Sequence, residues 1–149
     1  MTVTHTSLEE QLSTRGIAYG TTRGDSMEPL LHDRRQTIVL SPLPARARKH
    51  DVILVKRADG HFVLHRVIRV LDTGYLTRGD NRFRADAPVS DGEVLARLDG
   101  YYRGENFVSV TSRRYRAYLF FWVKNPLRFA YLAARAAFRR LFRRKPAAQ

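Results

Sequence analysis

Three polar residues, far apart in the chain, could together perform nucleophilic catalysis, and the first is Ser26. It stands between Gly24 and Pro29, two residues that favour a sharp bend of the backbone. A serine at such a bend exposes its hydroxyl, and its own N–H can help to stabilise an oxyanion. The alternative is that Ser26 only caps a helix, which is a common use of serine. For Ser26 considered alone, the helix cap is the favoured interpretation.

Two further segments favour the nucleophile. His65 lies in the middle of the apolar run 63–68, and Asp80 follows the next run in a Gly-Asp-Asn turn. Catalysis by serine needs a hydroxyl that attacks, a group that removes a proton near neutral pH and a carboxylate that orients the imidazole. The order Ser, His, Asp therefore predicts a triad-like hydrolytic site.

These segments resemble the three sequence motifs of the signal peptidase I family, in the same order. The matching segments are 24–29 (GDSMEP), 65–67 (HRV) and 79–81 (GDN), and the likeness covers roughly residues 20–100. Bacterial members and self-cleaving repressors of this superfamily use a lysine base. Here His65 stands at that place, as in the archaeal and endoplasmic-reticulum type. The chain looks like a short bacterial form without the anchor that precedes the serine in most members.

The resemblance implies specific roles. Ser26 is the nucleophile of an acyl-enzyme and His65 is its general base. The carboxylate that orients His65 is Asp86, six residues after Asp80, with Asp80 itself as the alternative. Lys56 is a rival base that lies one hairpin too early to match. Substrate and oxyanion contacts are expected from the segment around the serine, namely Gly24, Asp25, Ser26, Met27 and Pro29.

The apolar pattern predicts a mainly β domain with helices at both ends. Residues 7–15 predict a short helix that Ser7 caps and Gly16 ends. Asp59-Gly60 is a hairpin signal, and no alternation with long helices favours a parallel sheet. An antiparallel, partly closed sheet of the signal peptidase and repressor type is expected, with Arg66 and Arg69 placing charge on a sheet face. The predicted strands are 36–40, 51–56, 62–71, 74–77, 92–102 and 107–110.

The positive charge is concentrated in a predicted C-terminal unit. We expect a β-domain at 1–112 and a helical tail at 113–149, interrupted at Pro126. The formal net charge is +13, and 11 of the 27 Lys and Arg residues lie in the segment 113–145, with no Asp or Glu from Asn106 onward. A basic partner surface is therefore expected in the tail only.

The segment after Pro126 has the pattern of an amphipathic cationic helix. At about 100° per residue, its apolar residues fall on one arc and its arginines fall outside that arc. The apolar arc consists of Leu127, Ala130, Tyr131, Ala134, Ala137, Phe138, Leu141 and Phe142. The arginines are Arg128, Arg135, Arg139, Arg140, Arg143 and Arg144.

Three interpretations of this tail remain open. The apolar arc could pack on the β-domain, or it could lie in the plane of an anionic membrane surface through residues 113–145. Nucleic-acid binding is less favoured because the aromatic residues lie opposite the arginines and not between them. The main partner predicted for the β-domain is a peptide or protein substrate bound as an added strand.

Composition removes other classes of chemistry. Without cysteine there is no disulfide, thiol nucleophile or thiolate metal site, and the histidines have no ligand spacing, so neither metal nor cofactor is expected. Residues 1–20 lack the pattern of a secretion signal. A cytoplasmic peptidase, peripheral on the inner face of the membrane, is the leading hypothesis. The alternative is a non-catalytic module that keeps the fold and binds peptide, membrane or nucleic acid.

Overall fold

The computed structural model describes residues 7–143, and for residue 136 and residues 139–143 the backbone only. One antiparallel sheet of eight strands forms its body, with one helix before it and two after it. The strands are β1 (Ala18–Thr21), β2 (Thr37–Ser41), β3 (Val52–Lys56), β4 (Phe62–Leu71), β5 (Gly74–Arg78), β6 (Val89–Ser90), β7 (Val94–Arg103) and β8 (Asn106–Ser109). The helices are α1 (Leu8–Arg15), α2 (Arg113–Tyr118) and α3 (Leu127–Arg143), with a π-helical segment, Leu119–Val123, after α2.

The sheet is curled and only partly closed. Its strands follow the order β1-β2-β7-β3-β4-β5-β6, and β8 pairs with β7 beyond this path. The pairings β2–β7, β3–β7 and β4–β5 each contain a register shift, with the unpaired residue on β7 in the first two and on β4 in the third. Such irregularities bend a strand and help a sheet to curl. The predicted fold class is confirmed: the protein is mainly β and antiparallel, with a short N-terminal helix and C-terminal helices.

Strand β3 explains why the run 51–56 is continuously apolar. Its side chains alternate between two buried clusters, because successive residues of a strand point to opposite faces. Val52 and Leu54 belong to the larger core, which includes Met27 and Tyr115, whereas Ile53 and Val55 belong to a smaller core on the other face. Strand β3 is therefore packed on both faces, and it pairs with β4, the strand that carries His65.

The C-terminal segment packs against the sheet. Tyr115 of α2 lies in the larger core, and Val123 and Leu132 are buried farther along. Pro126 precedes the start of α3, in accord with the predicted interruption. Every helix within residues 7–143 is too short or too polar to span a lipid bilayer.

Helix α3 turns its apolar arc away from the domain. Leu127, Tyr131 and Phe138 are exposed, whereas Arg128 and Leu132 are buried. Packing of the arc on the β-domain, one of the three interpretations of the tail, is therefore wrong for the residues that the structure describes. The side chains of Arg139, Arg140, Leu141, Phe142 and Arg143, and all of Arg144, lie outside the described residues.

The polar surface beneath α3 explains this orientation. Arg135 donates to Oδ1 of Asn81 at 2.8 Å, and Arg128 donates to the carbonyl of Trp122 at 3.4 Å. The negative charge of Asp80 also acts on Arg128. Arg135 therefore binds an acceptor of the β-domain and Arg128 an acceptor of the preceding helical segment, and the apolar arc is left outside.

Candidate active site

The bend that carries Ser26 is anchored by its apolar neighbours. Met27, Leu30 and Leu31 are all buried in the larger core, so the segment between β1 and β2 is held firmly. Gly24 has a φ of +89°, a value that L side chains rarely adopt. The sequence-based expectation of an unusual backbone angle at Gly24 is confirmed.

His65 is placed by the alternation of strand β4. It pairs with Ile53 of β3, and its side chain is only 12 % exposed. The next residue, Arg66, points to the opposite face and is completely buried. One strand therefore carries two polar side chains with different surroundings on its two faces.

Ser26, His65 and Asp86 form one hydrogen-bonded chain. Nε2 of His65 lies 3.0 Å from Oγ of Ser26, and Nδ1 of His65 lies 2.6 Å from Oδ2 of Asp86. Both distances are within the range in which a base can take a proton from a hydroxyl and a carboxylate can orient an imidazole. The structure thus brings together the three residues to which the resemblance assigned these roles.

Asp86 is held as a carboxylate by its hydrogen bonds. Burial opposes its ionisation, but the bonds from His65 and from Oγ1 of Thr77 at 2.7 Å prevail, and the pKa of Asp86 lies below its ordinary value. The N–H of Asp86 also donates to the carbonyl of Thr77 at 2.8 Å. Thr77, on β5, therefore fixes both the position and the charge of Asp86.

Asp80 does not orient His65, so that alternative is wrong. Its carboxylate receives two hydrogen bonds from Arg66, from Nε at 2.7 Å and from Nη2 at 2.6 Å, in the buried interior. Tyr118 donates to the same carboxylate at 2.9 Å. The placement of Arg66 on a charged sheet face is wrong for the same reason, because this side chain is buried to complete the pair with Asp80.

The Gly-Asp-Asn turn instead supports the segment that bears the nucleophile. The N–H of Asn81 donates to the carbonyl of Ser26 at 2.8 Å, and its side chain donates to the carbonyl of Asp25 at 2.9 Å. Arg82 forms an ion pair with Asp25 at 2.6 Å. The third motif therefore lies near the serine and holds the backbone of its segment in place by hydrogen bonds.

A cleft of about 700 Å³ opens beside the triad. Its lining includes polar residues, among them Ser26 and His65, and apolar residues, among them Leu54 and Leu64. Gly24 and Met27 line it as predicted, whereas Asp25 and Pro29 are absent from its lining in the described part of the chain. The assignment of Asp25 and Pro29 to direct substrate contact therefore lacks support from the geometry.

Two features of the cleft suit an extended peptide. Strand β1 ends at its rim, and within residues 7–143 its only strand neighbour is β2. On the other edge the N–H of Tyr19 donates to Oε1 of Gln11 at 3.0 Å, and the cleft lies beside the following residues, Gly20 and Thr21, where a peptide strand could be added. Within residues 7–143, the Ser26 N–H makes no hydrogen bond. This N–H is therefore available to an oxyanion that forms at the serine.

The rival base lies elsewhere. The side chain of Lys56 is exposed, and its Nζ forms an ion pair with Glu9 of α1 at 2.7 Å. It is not part of the hydrogen-bonded chain that contains Ser26. In the part of the chain covered by the structure, no group of three His, Asp or Glu side chains is arranged to hold a metal ion.

Thr77 and Gly79 have roles that the sequence did not assign. Thr77 precedes the Gly-Asp-Asn turn on an apolar strand, and a single hydroxyl there has many structural uses. Gly79 has no side chain at the point where the turn passes the serine. An added Cβ would lie 2.6 Å from the Ser26 carbonyl oxygen and 3.1 Å from Nε2 of His65. A glycine directly before the aspartate was the available signal for this close approach.

Replacing Gly79 by Ala is expected to reduce peptidase activity about 100-fold, because a shift of the serine or imidazole by about 1 Å can cost that much. The measurement is kcat/KM together with the thermal unfolding of both proteins. Gly92→Ala is the matched control, since a Cβ there has no atom within 4 Å. Equal activity of the two variants would contradict this role of Gly79.

Replacing Asp86 by Asn is expected to lower kcat about 10²- to 10⁴-fold while the fold persists, because the imidazole loses its orienting charge. Steady-state kinetics of both proteins measure this loss.

The lowered pKa of Asp86 also makes the stability of the protein depend on pH. The contribution of the carboxylate is present above the ordinary pKa of Asp and is lost as the pH falls through the lowered value. Urea unfolding of both proteins across acidic pH should show their stability difference vanish in that range. A difference that disappears near neutral pH would contradict it.

Comparisons with known proteins add no assignment. No family model matches the chain, and a search of curated proteins finds no match either. The resemblance to signal peptidases therefore rests on the three sequence motifs.

Proposed function

We propose that this protein is a serine endopeptidase, similar to signal peptidases, that cleaves an extended peptide through an acyl-enzyme on Ser26. The observation that carries the proposal is the hydrogen-bonded chain from Ser26 through His65 to Asp86, at 3.0 and 2.6 Å. An ordinary helix cap does not need a histidine and an ionised aspartate aligned behind its hydroxyl.

In the proposed mechanism, His65 removes the proton of Ser26 as Oγ attacks the scissile carbonyl carbon. The Ser26 N–H stabilises the oxyanion, and Asp86 stabilises the imidazolium. The bond from this carbon to the leaving nitrogen then breaks, and the amine departs with the proton from His65. Water, deprotonated by His65, attacks the ester, releases the acid product and restores Ser26.

The substrate is proposed to bind as an added strand at the edge of β1 opposite β2, beyond the Tyr19 N–H that already donates to Gln11. Backbone hydrogen bonds would hold it, and the cleft beside Ser26 would select its side chains. The family resemblance implies small side chains before the scissile bond.

The proposed location is the cytoplasmic side of a membrane. The inner leaflet of the membrane is rich in anionic lipids, which attract basic segments. The chain after Asn106 contains 11 basic residues and no acidic residue.

The proposal is tested by mapping cleavage products. A lysate of the native host, or a peptide library, is incubated with the full chain and with its Ser26→Ala variant, and new peptide termini are identified by mass spectrometry. Termini that arise only with the unmodified protein support the proposal and reveal the residues around the cleaved bond. Identical products from both proteins would rule out Ser26 as the nucleophile.

A further inference from the structure

The C-terminal segment carries an exposed apolar surface that the β-domain leaves uncovered. Among the large hydrophobic residues described, the five most exposed all lie between positions 120 and 138, and their exposed fractions range from 55 to 75 %. Exposed aromatic and aliphatic side chains concentrated in one segment of this kind usually mark an interaction site. We call these five residues the apolar patch: Phe120, Phe121, Leu127, Tyr131 and Phe138.

The patch contains residues of both the π-helical segment and α3. The rings of Phe120 and Phe121 are in contact, with centroids 5.1 Å apart, and Trp122 packs against Tyr131 at 6.3 Å. Tyr131 lies on the apolar arc of α3 together with Leu127 and Phe138. Two adjacent helical segments thus contribute to the patch.

All charged residues in the segment that carries the patch are cationic. No Asp or Glu occurs from Asn106 onward, and Arg113, Arg114, Arg116 and Lys124 are exposed near the start of the segment. A second copy of the chain would bring the same positive charge to the patch and would be repelled. An occupant with an apolar interior and a negative surface fits both properties.

We infer that the apolar patch docks the protein on an anionic lipid bilayer, with α3 lying in the plane of the interface. An in-plane helix needs an apolar face of this kind and does not need the length of a spanning helix. Aromatic side chains such as those of the patch are favoured at the depth of the lipid headgroups.

Nucleic acid fits the surface less well. A single strand is usually held by bases stacked on aromatic rings, with cations beside them on its phosphates. Here Arg128 is buried and Arg135 is bound to Asn81, so both arginines point toward the domain and away from the patch.

Docking would bring the cleft close to the bilayer. Phe129 of α3 lies under the guanidinium of Arg78, 4.6 Å from ring centroid to Cζ, and contacts Phe83 at 6.4 Å. Asn81, between these two residues, is bonded to the Ser26 carbonyl. Substrates at the membrane surface would therefore reach the site most readily. Only this last step rests on the proposed function.

The test uses the full chain carrying Ser26→Ala, so that catalysis has no influence on binding. It is sedimented with vesicles of phosphatidylcholine containing phosphatidylserine, and with vesicles of phosphatidylcholine alone. Since Trp122 is the only tryptophan, quenching of its fluorescence by brominated lipids reports directly on insertion beside the patch. The inference predicts binding to the anionic vesicles, loss of binding at high salt and quenching of Trp122.

Two variants make the test specific. Phe120→Ser combined with Phe121→Ser is expected to weaken binding about tenfold for each phenylalanine that leaves the lipid. Phe107→Ser, at an exposed aromatic residue of β8, is the matched control and should bind as before. Leu127→Gln provides an independent exposed position, and circular dichroism verifies the fold of each protein.

The inference is overturned if anionic vesicles do not bind, if the double variant and Leu127→Gln both bind like the control, or if the protein shifts RNA or DNA at a salt concentration at which vesicles do not bind. Vesicle binding without any peptide cleavage by the unmodified chain would leave docking in place and remove the proposed function. Cleavage without vesicle binding would do the reverse.

Discussion

Ser26→Ala, His65→Ala and the double variant are expected to lose the same amount of kcat/KM, about 10⁴-fold or more, on a peptide that the unmodified protein cleaves. The physical reason is that the hydroxyl and the imidazole act as one unit, so that removing either leaves nothing for the other to do. The 3.0 Å contact between Oγ and Nε2 is the structural basis of this unit. Activities are compared in steady-state assays at neutral pH.

The control for this experiment is His32→Ala. His32 follows the serine segment but interacts with Glu28, at 3.5 Å, and does not line the cleft. Its replacement should change kcat less than a few-fold. If the losses from Ser26→Ala and His65→Ala were small, or if they multiplied in the double variant, the two residues would be acting independently and the mechanism would fail.

The second large effect is expected on stability, at the pair Arg66 and Asp80. The two side chains are 0 and 1 % exposed and share two hydrogen bonds. Asp80→Ala would leave the guanidinium buried without its counter-charge, at a cost of about 3–5 kcal/mol in the free energy of unfolding. Denaturation in urea measures this loss, which is a large share of the stability of an ordinary domain.

Two comparisons separate the buried charge from other causes. Glu9→Ala breaks the exposed pair with Lys56 and should cost at most about 1 kcal/mol. Combining Asp80→Ala with Arg66→Met removes the unpaired charge and should recover part of the stability. An exposed and a buried pair with equal effects, or no recovery in the double variant, would contradict this account of the interior.

The sequence predicted local features well, because each depended on nearby residues. Ser7 caps α1 by accepting from the N–H of Glu10 at 3.1 Å, and Gly16 ends the helix at a φ of +65°. The run 62–71 is strand β4 without any change of bounds. Capping side chains, glycine at a left-handed position and apolar runs are signals that neighbouring residues carry.

The long-range partners were predicted less well. Asp80 and Asp86 are both aspartates in one turn region, and only the fold determines that one meets His65 and the other meets Arg66. The burial of Arg66 could not be predicted either, because side chains alternate between the two faces of a strand and the sequence does not tell which face is buried around a charged residue. For α3, periodicity gave the apolar arc correctly but not its direction, since that depended on acceptors such as Asn81 on a distant loop.

The role of Ser26 as nucleophile is tested most directly by finding the covalent intermediate. A cleavage reaction is quenched in acid during turnover, digested, and examined for an acyl group by mass spectrometry. If Ser26 is the nucleophile, we expect an ester on Ser26 whose mass equals the acyl part of the cleaved peptide, and neither adduct nor cleavage with Ser26→Ala. An acyl group on another residue, or cleavage of the same bond at an unchanged rate by Ser26→Ala, would contradict it.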